Sequence, residues 1–201
     1  GDVDLHQMVA DFAGITRKQA KTVNLGIMYG MGVAKLAAQL SITPDEAKAL
    51  LATHHSKVPF VKGLAELATV QASKHGSIRT LLGRRCRFHL WEPRTYGYEK
   101  PLPLEDAQKK HGMNLRRAFT YKALNKLIQG SAADQTKRAM LDCYNEGLVP
   151  SLTVHDELCF SIENQKQASR ITEIMEHGLD DVLKVPSKVD EELGSNWGEV
   201  G

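Results

Sequence analysis

In "TVHDELCF", residues 153–160, His155, Asp156 and Glu157 lie between two runs that read as strands. A hairpin that only has to turn favours Asn-Gly or Asp-Gly, whose backbones take positive φ cheaply. The carboxylates there can do something else: present oxygen ligands to a hard divalent cation from a rigid tip. The plain alternative is a solvated acidic turn. A second set, Arg17, Lys21, Leu25 and Tyr29 in "TRKQAKTVNLGIMYGMG", recurs at every fourth position and shares one helix face. Two cations one turn apart near a helix N-terminus can grip a polyphosphate, Arg by its planar fork and Lys as a point charge. Tyr29 is placed to pack against a flat group further along. For an R-x-x-x-K pair alone, a solvated stripe is the commoner outcome.

The elements that must hold these residues follow from cap and breaker signals. Asp4 caps a short helix over 4–12, and Thr16 caps a longer one running to Met28, where "YGMG" breaks it. "VAKLAAQL" is a short helix. Thr43 and Pro44 open another, and one more runs from Pro59 to Lys74. Ser77 to Leu90 reads as a hairpin with Gly83 near its turn, and residues 91–111, with three prolines, read as loop. A long helix is expected over 113–146, strands over 150–155 and 157–162, a helix over 165–184 and a last strand near 186–192. The fold class is therefore α+β: a helical first part, then a small antiparallel sheet packed on helices, with a boundary near residue 112.

In the long helix, Asn125 and Gln129 stand four apart and are followed by Gly130, Ser131, Ala132 and Ala133. Taken alone, such amides are more often solvent-exposed; on a surface of small residues they can also meet the minor-groove acceptors that all base pairs share, which tests pair geometry without reading sequence. Arg84, Arg85 and Arg87, with Arg116 and Arg117, are cations suited to phosphates.

Composition is that of an ordinary globular protein, 42% hydrophobic and 25% charged. No run approaches the roughly 18 apolar residues of a membrane span, so no membrane partner is expected. The three cysteines lack metal-site spacing. The net charge of +2 conceals a division. Residues 79–122 carry eleven Lys/Arg against four Asp/Glu, whereas 142–201 carry four against thirteen. That asymmetry suits a protein holding a polyanion with one part and cations with another. The chain opens on Gly1 without an initiator Met and reads as a piece of something longer.

The combination of motifs resembles the DNA polymerases of family A, the bacterial DNA polymerase I type. Their fingers helix carries R-x-x-x-K-x-x-x-(F/Y)-G-x-x-Y-G, matched here at Arg17, Lys21, Gly26, Tyr29 and Gly30, with Leu25 in place of the aromatic. "DLH" resembles the family's D-x-H, "QGSAADQTKRAM" its Q-G-(T/S)-A-A-D-x-x-K-R-A-M, "VHDEL" its V-H-D-E-(L/I), and "GSNW" its usual finish. The short spacing from His6 to Arg17 resembles phage members.

The resemblance implies fingers in 1–112, with the nucleotide-binding helix at 16–30, and the C-terminal part of the palm in 113–201. It assigns dNTP binding to His6, Arg17, Lys21, Leu25 and Tyr29, and catalytic roles to Asp156, Glu157 and Lys21. Asp156 is the metal ligand it implies, in a site completed by two Mg²⁺ ions. Asn125, Gln129 and His155 are expected on DNA, with Arg84 and Arg85 on its phosphates. Primer-template DNA and dNTPs are the implied partners, in the cytoplasm of a bacterial cell or phage-infected host. The family's second palm aspartate, in a D-Y-S-x-x-E-like strand, has no counterpart here. An upstream polymerase segment carrying the thumb and that Asp is therefore a further expected partner. The competing readings are a non-catalytic DNA-binding remnant of such a polymerase and a helical interaction protein. The first leaves the joint retention of Arg17, Lys21 and Asp156 unexplained; the second leaves the basic helix face unexplained.

Overall fold

The computed structural model describes residues 4–57, 59–95 and 99–200. They divide into two compact units. One comprises residues up to Ile78 together with Arg85–Leu127, and the other Arg79–Arg84 together with Ile128 onward.

The first unit opens with five helices, α1 (Leu5–Ala13), α2 (Arg17–Met28), α3 (Val33–Leu40), α4 (Pro44–Lys57) and α5 (Pro59–His75). Their starts follow the cap signals. Asp4 accepts from the amides of His6 and Gln7, and Thr16 and Gln19 form a reciprocal capping box at the head of α2. Glu46 reaches back to the Thr43 amide in the same way at the head of α4. The apolar faces meet in one core built from Val9, Ala10, Ala20, Val23, Ile27, Leu36, Ala37, Ala47 and Leu50.

Strands β1 (Ser77–Arg79) and β2 (Arg85–Arg87) pair, as the expected hairpin requires. The segment beyond them corrects the expectation of a loop over 91–111. It contains β3 (Leu90–Pro93), β4 (Leu102–Pro103) and α6 (Leu104–His111), and β3 is the middle strand of an antiparallel sheet ordered β4, β3, β5. Pro101 and Pro103 precede α6 instead of interrupting it, while Glu105 and Asp106 open it and Lys109, Lys110 and His111 close it, matching the helix dipole.

The long helix also starts later than expected. Residues 115–117 form β5, and a 3-10 turn covers Thr120–Lys122 before α7 (Ala123–Asn145) begins. The cause is visible at Phe119, whose φ of 61° no helix can contain. Arg117 anchors β5: it donates to the carbonyls of Ser73 and Phe88 and lies 4.4 Å over the Trp91 ring.

In the second unit, α7 continues into β6 (Pro150–Val154), β7 (Glu157–Phe160) and α8 (Gln165–His177). Cys143, Ile171 and Ile174 form its buried centre, with Leu148, Phe160, Ile162 and Met175 against them. Helix α8 stops at His177 rather than near 184. The strand expected at 186–192 is not formed; these residues run without regular structure.

Candidate functional site

In the first unit, the four-residue stripe on α2 faces outward as its spacing requires. Arg17, Lys21 and Leu25 are exposed, while Ala20, Val23, Asn24 and Ile27 are buried on the opposite side. Tyr29 is the half-buried C-terminal cap. The two glycines of the motif have separate local causes. A Cβ on Gly26 would stand 2.1 Å from Cε of Met31, so the bare backbone lets the Met31 side chain fold back against the helix. Gly30 has φ of +83°, the left-handed conformation that ends a helix.

Helix α1 and its cap meet α2 through two polar contacts, one at the head of α2 and one two turns along. The Arg17 guanidinium donates from Nε to Oδ2 of Asp4 at 3.0 Å, and Oδ1 of Asp4 accepts the amides of His6 and Gln7. The Gln7 amide foremost, and then Arg17, holds the Asp4 carboxyl below the usual carboxylate range. Nδ2 of Asn24 lies 2.8 Å from Nδ1 of His6. His6 and Arg17, eleven residues apart in sequence, are thus tied to one carboxylate.

In the second unit, Val154 pairs with Glu157, so His155 and Asp156 form a two-residue turn and Glu157 begins β7. His155 has φ of 55°, left-handed in a residue with a full side chain, at a strain on the order of 1 kcal/mol. All three side chains are exposed. Two oxygen-bearing carboxylates on a hairpin tip suit a hard cation such as Mg²⁺, which takes one or two protein carboxylates and completes its octahedron with water and phosphate oxygens. Among the described residues there is no cluster of three or more acidic, His or Cys side chains able to hold a metal.

Asn125 and Gln129 stand one turn apart on α7, half-buried and exposed respectively. Arg85 and Arg87 are exposed on β2. Arg84 makes internal contacts: Nε donates to Oδ1 of Asp134 at 2.8 Å and Nη2 to the Gly130 carbonyl at 2.7 Å. Asp134 is only 6% exposed. Burial alone raises its pKa, but the Thr80 hydroxyl, Arg84 and the Leu82 amide outweigh that, and the net direction is downward. These contacts fasten residues 79–84 onto the "QGSAAD" stretch, with Ser131 Oγ accepting the Leu81 amide.

The sequence shows Asp4 only as a cap; its role as partner of Arg17, and the partner roles of Asn24 and Asp134, emerge only in the structure. The available signal was a polar residue at a core position: Asn24 falls in register with Val23 and Ile27, and Asp134 lies amid small residues.

The chain is similar to part of a solved polymerase domain. That structure, the POL domain of Pol1 from M. smegmatis in complex with DNA primer-template and dNTP, matches 91% of this chain and 32% of its own, with a TM-score of 0.64 and 28% identity. The model of DNA polymerase family A matches residues 2–199, and the chain belongs to that family. Among relatives, a DNA-directed DNA polymerase of Pseudomonas phage M6 is 37% identical over 98% of this chain and 31% of its own length. DNA polymerase I of Pseudomonas aeruginosa is 32% identical over 98% of this chain and 22% of its own. The chain thus spans about a third or less of the relatives it matches. Among the described residues, no helix is long and apolar enough to cross a membrane.

Proposed function

We propose that this chain supplies the fingers, in residues 1–112, and the C-terminal part of the palm, in residues 113–201, of a template-directed DNA polymerase that extends a primer 3′ end with dNTPs. The observation that carries the reading is the outward stripe of Arg17, Lys21 and Leu25 on α2, with His6 fastened beside it.

Arg17 can hold a triphosphate oxygen pair with its fork, exchanging Asp4 for the ligand. Lys21, one turn on, sets Nζ–H donors against the phosphates and neutralises the charge that develops on departing pyrophosphate. Leu25 offers an apolar surface without a ring face to the incoming sugar, and Tyr29 shapes the nascent pair. Asp156, with Glu157 beside it, would hold Mg²⁺, which when bound activates the 3′-hydroxyl and stabilises the charge on the transferred phosphate. His155 contacts the primer end, Asn125 and Gln129 the minor groove, and Arg84 and Arg85 the backbone phosphates. Arg84 would do so with its remaining nitrogen, Nη1. Two adjacent carboxylates at one hairpin do not make a two-ion site. We assign the second aspartate, with the thumb, to a polymerase segment outside this sequence.

The test is primer extension with Mg²⁺ and four dNTPs, using this chain alone and mixed with a polypeptide carrying the family's D-Y-S-x-x-E strand. Extension in the mixture, abolished by Asp156→Ala, is the expected result. DNA binding without extension in any mixture would favour the non-catalytic remnant. Extension by the chain alone would refute the missing-carboxylate argument.

A further inference from the structure

Asn24 is a polar residue in the wrong place for a solvated one. It lies on the buried face of α2 and is 1% exposed, in line with Ala20, Val23 and Ile27. Burying an amide there is costly unless it is hydrogen-bonded. Its Nδ2 meets Nδ1 of His6 at 2.8 Å, across eighteen residues of sequence. With the amide in this orientation its nitrogen is the donor and Nδ1 the acceptor. A neutral imidazole that accepts at Nδ1 carries its proton on Nε2.

We infer that Asn24 is a positioning residue that fixes His6 in the Nε2–H tautomer, so that the ring presents a hydrogen-bond donor to a phosphate oxygen. The inference rests on the reading that His6 faces the triphosphate. His6 is held at both ends: its backbone amide by Oδ1 of Asp4, its ring by Asn24. The opposite tautomer would turn the Nε2 lone pair outward, and a lone pair repels an anion. The choice of tautomer thus decides whether a neutral His6 attracts or rejects the ligand that Arg17 grips. The same bond removes the ring's rotational freedom, so little ordering remains to be done when the ligand arrives.

The test reads the tautomer directly. The intact protein is labelled with ¹⁵N-histidine, and the His6 ring signals are assigned by their loss in His6→Gln. A pyridine-like Nδ1 with a pyrrole-like Nε2 is the expected result. A pyrrole-like Nδ1 overturns the inference without any variant having to fold. In Asn24→Asp, an isosteric change that replaces the donor with an acceptor, Nδ1 gains a proton, and in the mixture with the segment carrying the second aspartate KM for dNTP should rise about tenfold with kcat little altered. The same substitution in a His6→Ala background should cost nothing further. An equal loss in both backgrounds would mean that Asn24 acts through the fold, and would overturn the inference. Addition of dATP to the primer-template complex should move the Nε2 signal. If the tautomer is as stated and Nε2 does not respond, the assignment of the tautomer stands and the contact between His6 and triphosphate is refuted.

Discussion

Asp134 offers a stability test that separates an architectural arginine from a DNA-contacting one. Its carboxylate is 6% exposed and accepts Arg84 Nε at 2.8 Å, with the Leu82 amide at 3.4 Å and the Thr80 hydroxyl beside it. Arg84→Met keeps the aliphatic stem and removes the charge. Breaking a fully buried pair costs about 3–5 kcal/mol. The Arg84 side chain is 45% exposed, so water reaches the vacated position and the expected loss is about 2 kcal/mol. At a urea slope of about 2 kcal/mol/M, the midpoint should fall by about 1 M. Asp134→Asn should cost a similar amount at pH 7, and its pH dependence fixes the origin. Because the folded-state pKa of Asp134 is lowered, its contribution is complete above the unfolded value of about 3.9 and is lost as pH falls through the folded value. The gap between wild type and Asp134→Asn should therefore narrow as pH falls from about 5 through the lowered folded value. An Arg84→Met midpoint indistinguishable from wild type, or a gap that ignores pH, would refute this account. Reduced DNA affinity with unchanged stability would leave Arg84 a phosphate ligand only.

Two further outcomes follow from the site. His155→Gly relieves the positive φ at the turn and should raise stability by about 0.5–1 kcal/mol in thermal unfolding while primer extension falls; a loss of stability would show that the imidazole supports the hairpin. Leu25→Phe should change the ratio of dideoxynucleotide to deoxynucleotide incorporation, and equal ratios in both enzymes would exclude position 25 from sugar discrimination.

Much of this was legible in sequence where one local signal decides the outcome. Asp4, Thr16 and Thr43 mark helix starts because a cap is a contact within four residues. Residues 113–122 were illegible for the opposite reason. "MNLRRAFTYK" has nothing against a helix, and its strand exists because β3 is there to pair with, 24 residues away at the Glu92–Arg116 step. Pro101 and Pro103 look like loop signals in sequence, although proline is welcome just ahead of a helix. At the site, residue types and faces were readable: α2 turns Arg17 and Lys21 outward. What holds them was not, because the pairs Asp4–Arg17 and Asn24–His6 span 13 and 18 residues and no spacing rule links them.

The excursion of residues 79–84 into the second unit bears on how this protein can be divided and exchanged. Any single cut between residues 85 and 127 parts that hexapeptide from Ile128 onward, and with it Arg84 from Asp134. The second unit is therefore not a contiguous cassette: recombination that swaps everything after such a cut brings in a foreign counterpart of Asp134 for a resident Arg84. Exchange between relatives should succeed only where both sides of that pair match, which makes a six-residue turn a barrier to shuffling the C-terminal half.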